Sequence, residues 1–434
     1  MKKITNRALS VLLIACLVIC GLVVYVLRYV DDGRSWALYF SAANSGSTGQ
    51  ILDRSGSTLV TLHSGITDYA EDELTRRACY HITGDYWGRT GTGMLSALMD
   101  STNDFNLLTG TTQAEDTDLC LSVDAGLCRR AYEAIGAENK GAAMVMDYTT
   151  GELLCLVSLP AIDPMNPEEE PGEGAYINRC ISASFIPGSV FKLITTAAAI
   201  ENIPDIYERS FYCEGVYTIA GIDITCSGTH YTQTFEQALS NSCNCAFARI
   251  AVMLGQDTMM EYVRKYGFLD SHRIDGIDTA SGSYPLDFVG DPELAWSGIG
   301  QSTDLVCPFS LLRFVAAIAN GGSLAEPHLV ASGTSPAQAQ LVDKDTADAL
   351  ARMMDYNVVS HYDAENNFPG LDICAKTGTA ELGDGSSHAW FTGFLDDAEH
   401  PYAFVVLIEQ GGGGLSVAGK AANEILQYAV NNLS

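Results

Sequence analysis

The sequence predicts an α/β (α+β) fold: an antiparallel sheet flanked by helices, interrupted by an all-helical subdomain, and carried on a small pedestal behind one N-terminal transmembrane helix. Three observations lead there. Strand patterns occur at both ends of the region after residue 119, in Gly141–Ser158 and in Leu371–Glu409, with about 200 mostly helical residues between them, so the sheet is assembled from distant segments. Ala8–Leu27 is uncharged and rich in Leu, Val and Ile. Residues 35–118, by contrast, are polar, turn-rich and heavy in Gly, Ser and Thr. The 434 residues therefore divide into an anchor over 1–34, a pedestal over 35–118 and a large domain over 119–434.

Lys2, Lys3 and Arg7 precede the apolar stretch, whose roughly 20 residues, at about 1.5 Å rise each, cross a hydrocarbon core of about 30 Å. A cleavable signal has a shorter apolar region ending in small residues; this one runs straight into Arg28, Tyr29 and Val30, which reads as a retained anchor. Only Arg28 and Arg34 follow closely, beside Asp31 and Asp32, so the charge bias places the N-terminus in the cytoplasm and the rest outside a single-pass cell-membrane anchor. In the pedestal, Gln50–Arg54 reads as a strand ending in the turn Ser55-Gly56. Leu119–Val123 reads as another strand, followed by a helix to Ile135 with Asp124 as its N-cap. Gly141–Asp147 and Glu152–Ser158 form two strands around the turn Thr149-Thr150-Gly151, and Glu168-Glu169-Glu170 is a solvated loop. Leu371–Ala380, Ala389–Leu395 and Tyr402–Glu409 are strands, and a helix runs from about Ser416 to Asn431.

The balance of 24 Lys+Arg against 53 Asp+Glu gives a net charge of −29 with no basic cluster past the first residues, which excludes a nucleic-acid partner. The 13 cysteines are scattered, and the one short pair past the first 20 residues, Cys243 and Cys245, has no neighbouring His. Neither a zinc module nor a disulfide scaffold fits, and no metal or cofactor is expected. Cys213 and Cys226 flank a hairpin turning at Ala220-Gly221 and are expected near one another, either bridged or as free thiols.

Among the lysines only Lys192 has a serine three residues earlier, in Pro187-Gly188-Ser189-Val190-Phe191-Lys192, and only Lys376 is followed by Thr-Gly, in Lys376-Thr377-Gly378-Thr379. Ser242-Cys243-Asn244 lies between them. Ser189 at a Pro-Gly helix start gains from the positive end of the helix dipole, and Lys192 follows one turn later on the same face. A lysine accepts the serine proton only when neutral; burial and a second cation, Lys376, both favour that form. Ser242 and Asn244 offer a proton relay and an amide, Thr377 and Thr379 hydroxyls for a carboxylate, and Gly378 a close approach of substrate to the strand.

These three motifs, in this order, resemble the penicillin-binding protein family, the D,D-transpeptidases that crosslink peptidoglycan. Ile51-Leu52-Asp53-Arg54-Ser55-Gly56, Met146-Asp147 with Thr150-Gly151-Glu152, and His388-Ala389-Trp390-Phe391 look like its monofunctional class B members. The resemblance implies the penicillin-binding transpeptidase and serine β-lactamase fold. It implies acyl transfer in which Ser189 attacks the bond between two terminal D-alanines, with the backbone N–H groups of Ser189 and Thr379 as oxyanion hole. Implied partners are stem peptides, lipid-linked nascent glycan, β-lactams, and a multi-span membrane glycosyltransferase, since the stretch between anchor and transpeptidase leaves no room for a glycosyltransferase domain. The motifs leave open a D,D-carboxypeptidase or a membrane-bound β-lactam receptor. A β-lactamase is disfavoured: position 243 is Cys where those enzymes usually carry Asp, and none of Glu261, Glu293, Glu326 and Glu365 lies in their water-activating setting.

Overall fold

The computed structural model describes residues 7, 11–28, 48–63, 66–85, 88–95, 103–106, 111–114, 117–168, 171–285, 290–331 and 337–433. Lys2, Lys3, Ala8, Asp31, Asp32, Arg34, Glu169 and Glu170, and the start of the pedestal, lie outside them. Helix α1, Val11–Arg28, is long and apolar enough to cross a membrane, and none of it is buried against the rest of the protein.

A four-stranded sheet in the order Ile66–Tyr69, Thr58–His63, Thr48–Leu52, Thr117–Cys120 is antiparallel except for the last pair, and its last strand runs across the boundary expected at 118. The Asp53-Arg54-Ser55-Gly56 turn works through its carboxylate. Asp53 is buried, and its Oδ1 accepts from the Ser55 and Ser57 amides at 3.0 and 2.8 Å while Oδ2 accepts from the Ala125 amide at 3.3 Å. One acidic side chain thus closes the turn and seats helix α2, Ala125–Ile135, whose N-cap Asp124 accepts from the Leu127 amide as expected. A second junction lies further along. Arg76, on the helix Glu73–Ala78, forks onto Asp163 at 2.7 and 2.9 Å with both side chains almost out of solvent. The guanidinium holds the Asp163 carboxyl down to about 2. A buried pair of this kind is costly to break from one side only, about 3 kcal/mol or more, because the remaining charge has no solvent to turn to.

The main sheet has five strands: β1 (Gly141–Asp147), β2 (Leu153–Leu159), β3 (Ile373–Glu381), β4 (Ser387–Leu395) and β5 (Tyr402–Ile408). Their order is β3-β4-β5-β1-β2, antiparallel throughout, so the sheet joins segments more than 200 residues apart and leaves β3 on an edge. The near-continuous burial of β1, β2 and β5 shows that both faces are covered. On one side lie α2 and the C-terminal helix Lys420–Asn432, which pack on each other; on the other lies the apolar helix Pro308–Ala319. The insert between β2 and β3 is mainly helical, with short antiparallel ribbons among the helices. One ribbon is the expected hairpin, Val216–Ile219 paired with Ile222–Thr225 and turning at Ala220 and Gly221, both at positive φ.

Candidate active site

The Pro-Gly start of the Ser189 segment folds as a 3-10 turn, Gly188–Phe191, that continues into helix α3, Lys192–Asn202. Gly188 has φ +56°, and a β-carbon there would sit 2.7 Å from the carbonyl oxygen of Thr379. Its amide donates to the Gly300 carbonyl at 2.8 Å. Gly300, at φ +73°, would put a β-carbon 2.1 Å from the Gly188 oxygen. Only glycine lets these three stretches of main chain meet so closely. The indole of Trp390, fully buried on β4, donates to the Ile186 carbonyl at 3.0 Å and fixes the turn to the sheet.

Lys192 Nζ is the hub of the site and is fully buried. It donates to Ser189 Oγ at 3.0 Å, to the Ser242 carbonyl at 2.6 Å and hydroxyl at 3.2 Å, and to Asn244 Oδ1 at 2.7 Å. Burial brings its ammonium down to about 8. In the neutral amine the two N–H bonds keep the shortest contacts, to Ser242 O and Asn244 Oδ1, which leaves the lone pair for the Ser189 hydroxyl. Lys376, equally buried on β3, donates to Ser242 Oγ at 3.0 Å. Burial first, then the charge of Lys192, hold its ammonium well below the usual lysine range. Burial is the main cause for both lysines, and the repulsion between their ammonium groups disfavours their being charged together.

Ser242 bridges the lysines from an unusual backbone position, φ +51°, which turns both its carbonyl and its hydroxyl toward Lys192. Cys243 is the N-cap of the following helix α4, Asn244–Leu254. Ser189, Ser242, Asn244, Thr377 and Thr379 line one cleft of about 320 Å³, with Thr225, Cys226, Ser227, Trp296, Ile299, Gln301 and Glu381. The structure thus brings together every residue singled out in the sequence, although Gly378 has another occupation than the one expected. It is buried, and a β-carbon there would meet Pro187 O, Val190 Cγ1 and Trp390 Cβ, each at 3.0 Å, so its smallness admits the Ser189 turn. Sequence reasoning missed Tyr362, whose buried hydroxyl accepts from the Thr377 amide at 3.1 Å and pairs with the Thr377 hydroxyl at 3.1 Å. It also missed Gln301, whose Nε2 reaches the Thr379 carbonyl at 3.5 Å; the glycines at 298 and 300 just before it were the available signal of a tight approach.

Compared with known proteins, residues 141–427 match the family model of the penicillin binding protein transpeptidase domain. The chain belongs to that family. Within it, the chain is 32% identical to stage V sporulation protein D of Bacillus subtilis over 43% of its own length and 29% of that protein, and 29% identical to the peptidoglycan D,D-transpeptidase PbpA of Mycobacterium tuberculosis over 65% of its own length and 64% of that one. It therefore spans less than two thirds of these curated relatives. Among solved structures, a ceftriaxone acyl-enzyme complex of penicillin-binding protein A from M. tuberculosis superposes with a TM-score of 0.77 at 23% identity, covering 90% of this chain and 100% of that one. The D,D-transpeptidase domain of a peptidoglycan glycosyltransferase from Eggerthella lenta superposes with a TM-score of 0.75, also at 23% identity. These neighbours share the fold of this chain.

Proposed function

We propose that this chain is a peptidoglycan D,D-transpeptidase that crosslinks stem peptides and is acylated by β-lactams. The observation that carries the reading is the 3.0 Å contact between Ser189 Oγ and a lysine amine that burial brings within reach of neutral pH. In this reading Ser189 Oγ attacks the carbonyl carbon of the penultimate D-alanine, Lys192 takes its proton, and the Ser189 and Thr379 amides hold the oxyanion, each worth about 3 kcal/mol of barrier. Ser242, between Lys192 and Lys376, passes the proton to the leaving D-alanine nitrogen as the C–N bond breaks. Asn244 orients Lys192 and the substrate amide, and the Thr377 and Thr379 hydroxyls receive the terminal carboxylate. An amine of a neighbouring stem peptide then takes the acyl group and frees Ser189. The free edge of β3 gives the donor peptide a strand to lie along.

The test uses the full chain in detergent with a synthetic stem peptide ending in D-Ala-D-Ala and an amine acceptor. Crosslinked peptide and free D-alanine are expected in equal amounts. D-alanine with hydrolysed peptide alone would make the enzyme a carboxypeptidase, and release of neither product would overturn the reading.

The organisation that goes with it is an anchor over 1–34 with a cytoplasmic N-terminus, a pedestal over 35–118 and a transpeptidase domain over 119–434 outside the cell membrane. An enzyme that only crosslinks needs fresh strands beside it, which supports a multi-span membrane glycosyltransferase as partner, met through α1 and the pedestal. Replacing residues 8–27 by an unrelated apolar helix is expected to weaken co-purification with that partner while leaving penicillin labelling unchanged. Failure of both the native protein and the chimera to retain such a partner would count against it.

A further inference from the structure

Beside the catalytic hub stands a group of side chains that the acyl-transfer chemistry does not use. Cys213 ends the strand Ser210–Cys213, Cys226 follows the hairpin strand Ile222–Thr225, His230 precedes the strand Tyr231–Thr234, and Cys243 lies between Ser242 and Asn244. Their ligating atoms all lie within 4.8 Å of one another. Cys226 Sγ is 3.9 Å from Cys243 Sγ and 3.6 Å from His230 Nδ1. A tetrahedral zinc ion, with bonds of about 2.3 Å to sulfur and 2.0 Å to nitrogen, sets its ligands about 3.8 Å apart for two sulfurs and about 3.5 Å apart for sulfur and nitrogen. These two separations are those of a zinc site. We propose that Cys213, Cys226, His230 and Cys243 bind one zinc ion that clamps the Ser242–Asn244 loop to the hairpin beside it.

The main chain is arranged for thiolates. The amide of Gly215 donates to Cys213 Sγ at 3.4 Å, and the amide of Asn244 donates to Cys226 Sγ at 3.3 Å. Such N–H···S contacts support sulfur as an electron-rich acceptor, the role of the outer shell around bound metal. Three thiolates and an imidazole select zinc over the hard cations, and four protein ligands close the tetrahedron, so the ion is structural and activates no water. A disulfide would engage two of the sulfurs and leave the third beside an unused imidazole. Cys226, which lines the cleft, and His230 are half-buried, which gives the ion a way in, whereas Cys213 and Cys243 are buried.

The clamp reaches the chemistry through the chain itself. Cys243 is bonded on one side to Ser242, held at its positive φ, and on the other to Asn244, whose side-chain amide donates to the Thr225 carbonyl at 2.8 Å, next to Cys226. Metal bonds to both cysteines would fix the two acceptors, Ser242 O and Asn244 Oδ1, that orient Lys192. Binding rests on the geometry alone; the positioning role rests on the proposed acyl transfer. Spacing along the sequence gives no sign of such a group, because these residues are spread from position 213 to 243 and converge only when the hairpin folds back.

The full chain, purified in detergent without chelator, is expected to contain about one zinc per molecule by elemental analysis. Cys213→Ser combined with His230→Ala should contain almost none, while Cys307→Ser, a buried thiol outside the group, should keep it. Because the double variant could fail to fold, the native chain stripped of metal and loaded with Co2+ provides a second measure, the intense visible absorption of tetrahedral thiolate-bound cobalt. A reduced native chain with neither zinc nor that spectrum, full zinc in the double variant, or a Cys213–Cys226 disulfide in unreduced peptide maps would overturn the site. Chelation should slow acylation by penicillin roughly tenfold or more, reversed by added zinc; an unchanged rate would overturn the positioning role. Ser189→Ala should retain the zinc, so loss of the acyl-transfer reading and loss of the metal are told apart.

Discussion

Ser189→Ala is expected to abolish covalent labelling of the full chain by a fluorescent penicillin while its melting temperature stays close to that of the native protein. The substitution removes the one oxygen that can become an ester, and from the fold only a single hydrogen bond with Lys192, worth about 1 kcal/mol. Lys192→Met, which keeps much of the side-chain volume, should lower the acylation rate about 10²- to 10⁴-fold, the range for losing a general base. Native acylation should rise with pH and level off above about 8, where Lys192 loses its proton. The sign follows from the chemistry: the ammonium has no lone pair, so the protonated form is the inactive one. The measurements are adduct mass by mass spectrometry and second-order acylation rates across the pH range. An adduct on another serine would reassign the nucleophile, and a rate that falls from pH 6 to 8 would remove Lys192 from the role of base.

The second large effect is on release. Nitrocefin mixed with the purified chain should show a burst of about one equivalent and then turn over only on a scale of minutes to hours. Hydrolysis of the β-lactam-derived acyl ester needs a base that activates water on it, and Glu261, Glu293, Glu326 and Glu365 are all exposed and absent from the cleft lining. A carboxylate that does line it, Glu381, stands exposed at the outer end of β3, where Glu381 pairs with Ser387. Lys192 remains as a base, but a retained β-lactam ring occupies the approach that an incoming amine would use. Rapid multiple turnover, abolished in Glu381→Gln, would show that the rim carboxylate has become a hydrolytic base and that the protein destroys β-lactams.

Much of this was legible in the order of residues. Ser189, Lys192, Ser242, Asn244 and Lys376 announce themselves because each carries its polar or charged side chain within a short motif, and the strands of the main sheet because their apolar runs are bounded by turns such as Asp147–Gly151. What stayed hidden depends on segments meeting late. Tyr362 touches Thr377 only because the helix Lys344–His361 ends against β3, and no local pattern marks a tyrosine for that duty. Gly378 was given to the substrate because a glycine on an edge strand looks open, whereas the Ser189 turn fills the space above it. The four zinc ligands escaped for the same reason, being split among two ribbons and a helix cap. Residues that carry chemistry were readable; residues that carry a contact with a remote part of the chain were not.

The meeting of Gly188, Gly300 and Thr379 through bare main chain has a consequence for how the protein comes into being. The Ser189 turn is shaped by the far part of the insert through Gly300 and by the sheet through Thr379, segments that both lie a long way along the chain from Gly188. Closing such wide loops costs chain entropy before any contact offsets it, so this corner is expected to assemble late on the folding route. A half-folded molecule then has the serine and the lysine without the cradle that makes them reactive. On the proposed function, the population that captures a β-lactam would be the population that has finished folding, so penicillin labelling is expected to report maturation as well as abundance.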